Sequence, residues 1–119
     1  MSNILLADDD ASMRHFIAGA LQKAGHDVVQ ASDGLEAFKF LKTDAAFDLL
    51  LTDIVMPGMD GLELAAQARL LRPALKVMFI TGFAAMALKD ADQNSKSRVL
   101  SKPFHLGTLV DEVAAILQG

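Results

Sequence analysis

Asp53 closes the apolar run Leu49-Leu50-Leu51-Thr52 and is followed at once by Ile54-Val55-Met56-Pro57-Gly58-Met59-Asp60-Gly61, the pattern of a carboxylate at a strand's C-terminal end. Open α/β sheets place their ligands at that edge. Other polar groups end apolar runs in the same way: Asp8-Asp9-Asp10 after the first, Thr81 after the fourth and Lys102 after the fifth. A carboxylate can attack phosphorus and become an acyl phosphate, whose charge must then be neutralised. Mg²⁺ prefers octahedral oxygen ligands and commonly takes one or two carboxylates together with phosphate oxygens and waters. Asp9 and Asp53 suit direct ligation, Asp8 suits it directly or through a water, and a backbone carbonyl just after Asp53, such as that of Val55, completes the protein's share. Lys102 adds a mobile point charge for a phosphoryl oxygen and Thr81 a small hydroxyl donor. Metal, ammonium and hydroxyl around an in-line displacement are the ingredients of phosphoryl transfer by positioning and electrostatics, with no conventional general base.

Each of these residues alone is ordinary. A lone Asp at a strand end is more often a helix cap or turn former, Asp-Asp-Asp is more often a solvated loop, and Thr81-Gly82 taken singly is a turn signal. Their coincidence on one rim carries the argument, and that requires the elements between them. Asn3 to Ala7, Asp27 to Ala31, Asp48 to Thr52, Lys76 to Ile80 and Ser97 to Ser101 are short runs, most of them rich in Ile, Leu and Val without strict alternation, as in strands buried on both faces. Met13, Phe16, Ile17, Ala20, Leu21 and Ala24 repeat at the spacing of one helical face, as do Leu106, Leu109, Val110, Val113, Ile116 and Leu117. Asp10 is placed to cap the first helix and Gly25 to end it. Ser32-Asp33-Gly34 opens a second helix with Leu35, Phe38 and Leu41 inward, and a third fits Leu62 to Leu71. A fourth, around Ala85 to Asp92, lacks a clean stripe. Five strands alternating with five helices imply right-handed crossovers and a doubly wound parallel sheet, with the site where the strand order reverses.

Composition narrows the function classes. At 119 residues, 52% apolar and 22% charged, the chain fits one packed domain spanning 1–119, with no room for a second functional domain. Fifteen acidic against eleven scattered basic residues disfavour a nucleic-acid backbone as partner. The absence of cysteine removes disulfides, thiolate chemistry and Cys-based zinc sites, a composition at home in a reducing cytoplasm. No signal peptide is expected from the short, acidic start, and the apolar stretch from Val77 to Leu88 is interrupted and short of the ~20 residues a bilayer span needs, so no membrane insertion is expected. His15 and His26 have no second ligand at metal spacing and read as surface residues, and His105 reads as opening the last helix.

Ile4-Leu5-Leu6-Ala7-Asp8-Asp9-Asp10, Asp53 to Gly61, Ile80-Thr81-Gly82 and Ser101-Lys102-Pro103-Phe104 together resemble the receiver domain of two-component response regulators, over nearly the whole chain. The resemblance implies a flavodoxin-like receiver fold, with Asp53 as phosphoacceptor, Asp8 and Asp9 as the acidic metal pair, Thr81 as the switch hydroxyl and Lys102 as the phosphate-contacting lysine. It also implies Mg²⁺ as cofactor, a phosphohistidine donor on a histidine kinase or histidine phosphotransfer protein, and a signalling role rather than an enzyme's. Within the family, Leu50 to Gly58, Lys76 to Ala85 and Val99 to Leu106 look like the stand-alone CpdR-type receivers of cell-cycle control. In those, the unphosphorylated form primes the ClpXP protease for selected substrates and phosphorylation through a relay switches it off.

Some positions depart from the family. Val99 stands where many receivers carry a Tyr or Phe that swings inward on activation, and Val55 and Phe83, at positions linked to dephosphorylation, are apolar. Output is therefore expected to leave through a reshaped surface, with Phe83, Met86, Leu88, Val99 and His105 as the candidate patch. A chemotaxis-type or phosphorelay receiver remains open as an alternative. So do an inactive pseudo-receiver, although no acidic or lysine position is lost, and an aspartyl-phosphate phosphatase. Haloacid-dehalogenase-like phosphatases place a second Asp where this chain has Val55.

Overall fold

The computed structural model describes residues 2–82 and 98–118. Five parallel strands, β1 (Asn3–Ala7), β2 (Asp27–Ala31), β3 (Leu49–Asp53), β4 (Lys76–Thr81) and β5 (Arg98–Ser101), form one sheet in the order β2-β1-β3-β4-β5. The chain leaves β1 for one neighbour, β2, and returns to the other side of β1 as β3. The strand order reverses there, so a crevice opens at the carboxyl ends of β1 and β3. The three inner strands are buried on both faces almost throughout, whereas β2 and β5 at the edges are mostly half-buried or exposed. This is the expected doubly wound parallel sheet.

Alternation along each strand separates two cores. Leu5, Leu50, Val77 and Phe79 face α2 (Gly34–Leu41) and α3 (Gly61–Leu71), meeting Ala37, Leu41, Leu64, Ala65 and Ala68. Ile4, Leu6, Leu49, Leu51, Met78 and Ile80 face α1 (Ala11–Lys23) and the C-terminal helix (Leu106–Gln118), meeting Ile17, Ala18, Leu21, Leu109, Val113 and Ile116. Removing any of these side chains from water contributes roughly 1.5–3 kcal/mol for a fully buried Leu, Ile or Val.

Helix ends follow the sequence closely. Asp10, Asp33 and Asp60 each accept the backbone N–H three residues on, from Met13, Glu36 and Glu63. Gly25, at φ +99°, donates to the Gln22 carbonyl while His26 donates to that of Leu21, the paired bonds that close a helix with a left-handed glycine.

Several expectations need correction. Strand β3 runs one residue later than Asp48 to Thr52 and β4 one residue further than Ile80, so Asp53 and Thr81 are the last residues of their strands. Asp48 instead receives the Asn3 backbone N–H at 2.7 Å, an end-of-sheet contact that sequence periodicity cannot register. Phe16, placed on the inward stripe of α1, is 60% exposed, and Leu35, placed inward on α2, is 50% exposed. The core takes Ile17, Ala18 and Leu21 from α1, and Ala37 and Leu41 from α2, with Phe38 partly buried; small alanines let these helices approach the sheet closely. His15 is exposed as expected, but His26 is half-buried and its Nδ1 is closed off from solvent. The helix expected around residues 85–92, and with it Phe83, Met86 and Leu88, lies outside the described residues.

Arg72 ties down the connection from α2 to β3. Its guanidinium donates to the carbonyls of Leu41, Thr43 and Ala45 and lies 5.4 Å from the centre of the Phe47 ring. Charged hydrogen bonds contribute about 1.5–3 kcal/mol. Arg72→Ala is expected to destabilise the protein by about that amount, measured as a lower urea midpoint followed by circular dichroism.

Candidate functional site

Register places the site residues before any side chain is considered. Ala7 pairs with Thr52, which sets Asp8 beside Asp53. Asp53 pairs with Ile80, so Thr81 lies one residue beyond it, and Thr81 pairs with Ser101, which brings Lys102 to the same edge. The backbone N–H of Lys102 donates to the Thr81 carbonyl at 2.7 Å, locking the ends of β4 and β5 together. All of the sequence-predicted polar groups thus gather on one rim.

The loop after β3 is fixed by hydrogen bonds to its backbone carbonyls. The buried Thr52 hydroxyl donates to the Asp53 carbonyl at 2.8 Å, and the Gly61 N–H donates to the Ile54 carbonyl at 2.8 Å. A side chain on Gly61 would collide with the Asp53 carbonyl, so α3 can begin this close to the strand end only with glycine there. Val55, expected to lend a carbonyl, sits in this loop with its side chain 56% exposed.

Asp53 is 9% exposed. Its Oδ1 accepts the Ile54 N–H at 2.7 Å and its Oδ2 meets Lys102 Nζ at 3.1 Å. Asp8 is more deeply buried, at 1% exposure; its Oδ1 accepts the Asp10 N–H at 2.9 Å. Its Oδ2 is buried with no hydrogen-bond partner among the described residues, and Lys102 Nζ stands 4.0 Å away. Burial pushes the Asp8 carboxyl above the ordinary carboxylate range, against the lowering effects of the Asp10 N–H and Lys102, while the charges of Asp53 and Asp9 add to the rise.

Carboxylate oxygens of Asp8, Asp9 and Asp53 lie within 4.8 Å of one another, close enough to share one cation. Oxygen-only donors of this charge suit a hard divalent ion, and the orphaned Asp8 Oδ2 is the kind of atom such an ion satisfies. Asp10 points elsewhere, with its Oδ1 accepting the Met13 N–H at 3.1 Å as the α1 cap. Asp9→Ala is therefore expected to weaken Mg²⁺ binding at least about tenfold, whereas Asp10→Ala costs about 1 kcal/mol of fold stability with little change in affinity. Calorimetric titration of both variants distinguishes them; equal losses of affinity would place Asp10 on the metal.

The sequence pointed to Asp8, Asp9, Asp53, Thr81 and Lys102, but not to Thr52 or Arg14. Thr52 reads as strand filler. Arg14 reads as a solvated helix residue, yet its Nη1 donates to the Asp8 carbonyl at 2.8 Å. Its only sequence signal is that it follows Asp10 by one helical turn. Val99, half-buried, packs against the core on the α2 and α3 side.

Comparison with known proteins places this geometry. The model of the response regulator receiver domain matches residues 4–114. The chain is 53% identical to the response regulator receiver protein CpdR of Brucella abortus, over 98% of both chains. Other relatives, 32–34% identical, are matched over only 13% to 50% of their own length. Among solved structures, a response regulator receiver protein from Sinorhizobium medicae is 34% identical with a TM-score of 0.91, covering 99% of this chain and 95% of that one. The response regulator TrrA of Thermotoga maritima, in complex with Mg²⁺ and beryllofluoride, is 29% identical with a TM-score of 0.84, over 98% and 99%. With its strand order, its acidic crevice and these likenesses in agreement, the chain belongs to the response regulator receiver domain family and has the flavodoxin-like fold of that family.

Proposed function

We propose that this chain is a single receiver unit phosphorylated on Asp53 by a phosphohistidine on a histidine kinase or histidine phosphotransfer protein, with Mg²⁺ held by Asp8, Asp9, Asp53 and the Val55 carbonyl. The observation that carries the reading is the meeting of three carboxylates with Lys102 Nζ, 3.1 Å from Asp53, at the switch point of the sheet. An Asp53 oxygen attacks phosphorus in line with the departing imidazole nitrogen, forming the acyl phosphate as the N–P bond breaks. Lys102 follows the new charge as a mobile ammonium, and Thr81, buried at the end of β4, offers its hydroxyl to a phosphoryl oxygen. Mg²⁺, when bound, neutralises phosphoryl oxygens and the crowded carboxylates. The Thermotoga receiver, solved with Mg²⁺ and beryllofluoride, supports by likeness a site that takes Mg²⁺ and a phosphoryl group.

The likeness to Brucella CpdR supports an output through a protease partner. The unphosphorylated form binds the ClpXP protease in the cytoplasm and primes it for substrates of cell-cycle control, and phosphorylation of Asp53 weakens that binding. Val99 leaves no aromatic ring to rotate at its position, so the message passes through the loops around Asp53 and Thr81 to the surface. Purified ClpX tests this by co-elution with the wild type, with Asp53→Ala, and with the wild type in Mg²⁺ and beryllofluoride. Binding by the first two and loss in the third is expected. Binding by none of the three would remove the protease assignment while leaving the phosphoacceptor reading to its own tests.

A further inference from the structure

Arg14, the fourth residue of α1, reaches the loop that carries the acidic residues. Its Nη1 donates to the Asp8 carbonyl at 2.8 Å and its Nε to Gln30 Oε1 at 3.3 Å, so one planar guanidinium spans the loop after β1 and the edge strand β2. The Asp8 backbone N–H donates to the Ala31 carbonyl of the same strand at 3.2 Å. With the Asp10 N–H on Oδ1, every polar group of Asp8 except Oδ2 is held in place, and Oδ2 has no hydrogen-bond partner among the described residues.

This arrangement is unusual electrostatically. A guanidinium beside a cation site repels the cation, so by charge alone Arg14 opposes metal binding. Its hydrogen bonds act in the opposite sense, because groups that orient metal ligands are commonly worth about 10- to 100-fold in affinity. We propose that Arg14, braced by Gln30, is a positioning residue for the acidic pair: it fixes the Asp8 backbone so that the Asp8 carboxylate stays grouped with those of Asp9 and Asp53. It touches neither metal nor phosphoryl group. The proposal rests on the reading of Asp8, Asp9 and Asp53 as a Mg²⁺ site.

The test is a calorimetric Mg²⁺ titration of the wild type, Arg14→Gln, Arg14→Lys, Gln30→Ala and Gln30→Glu, each with a thermal melt to confirm folding. Arg14→Gln is expected to bind Mg²⁺ about 10- to 100-fold more weakly despite the loss of a repelling charge. Arg14→Lys recovers little, because a single ammonium does not reproduce the fork across two acceptors. Gln30→Ala weakens binding, whereas Gln30→Glu, which still accepts from the guanidinium, keeps at least wild-type affinity. Unchanged or tighter binding in folded Arg14→Gln would overturn the proposal, and if that variant does not fold, unchanged affinity in Arg14→Lys and Gln30→Ala would do so. A wild type that binds no Mg²⁺ would overturn the metal reading itself, and this proposal with it.

Discussion

Asp53→Asn is expected to abolish phosphoryl incorporation from acetyl phosphate and Mg²⁺, by more than about 100-fold, because it removes the attacking oxygen's negative charge while keeping the side chain's shape. The substitution is a clean one in this fold. Asp53 Oδ1 already accepts the Ile54 N–H at 2.7 Å, a bond that an Asn carbonyl oxygen preserves, and among the described residues the partner lost is Lys102 at 3.1 Å. The β3 end and its loop remain braced by the Thr52 hydroxyl and the Gly61 N–H, which bond to the backbone carbonyls of Asp53 and Ile54 and not to the Asp53 carboxylate. A melt close to that of the wild type, together with absent labelling, separates loss of the acceptor from loss of the fold. Labelling that persists in Asp53→Asn would move the acceptor to another residue.

Asp8→Asn is expected to raise the melting temperature of the metal-free protein at neutral pH and to remove its stabilisation by Mg²⁺. Asp8 is buried with one oxygen unpartnered among the described residues and two carboxylates, of Asp9 and Asp53, close by, and Lys102 at 4.0 Å compensates only in part. Replacing such a charge with a neutral group of the same shape relieves a desolvation penalty. A gain of about 1 kcal/mol corresponds to roughly 4 °C in a domain of this size. The sign with pH follows from the raised Asp8 pKa. Between the ordinary carboxylate pKa and the raised folded value the native state binds more protons than the unfolded chain, so this group's contribution to stability falls as pH rises through that window. The metal-free wild type is therefore expected to gain stability from Asp8 on acidification from neutral, and Asp8→Asn to lack that gain. Mg²⁺ reverses the balance, because it stabilises the folded state by mass action and requires the carboxylate. Its effect on the wild type should fade on acidification at a higher pH than an ordinary carboxylate would dictate. The chain has neither Tyr nor Trp, so calorimetry or circular dichroism, rather than intrinsic tryptophan fluorescence, reads these changes.

Much of this site was legible because its parts end apolar runs. An inner strand of a parallel sheet is buried on both faces and reads as an uninterrupted apolar stretch, so the polar residue that stops it marks the rim. Asp8, Asp53 and Thr81 announce themselves in this way, whereas Lys102 follows the half-exposed edge strand β5 and is brought to the rim by the pairing of Thr81 with Ser101. The same continuity hides the exact strand end: nothing in Asp48-Leu49-Leu50-Leu51-Thr52-Asp53 says which polar residue joins the ladder, and pairing of Asp53 with Ile80 decides it. Helical faces were less legible at their margins. Phe16 and Leu35 fit apolar stripes, yet the sheet selects Ala18 and Ala37, whose small size lets the helix backbone sit close, and leaves the larger residues outward. Arg14 was unreadable for a different reason: it acts on a backbone carbonyl and on a Gln sixteen residues away, and neither partner leaves a mark on local pattern.

The most direct test of the account is to locate the acyl phosphate chemically. Borohydride reduces an aspartyl phosphate to homoserine, and peptide mass spectrometry then identifies the residue converted. After treatment with acetyl phosphate and Mg²⁺, the account predicts homoserine at position 53 and nowhere else in the chain. Homoserine at Asp8, Asp9 or Asp60, or none under conditions where Mg²⁺ binds, would contradict it.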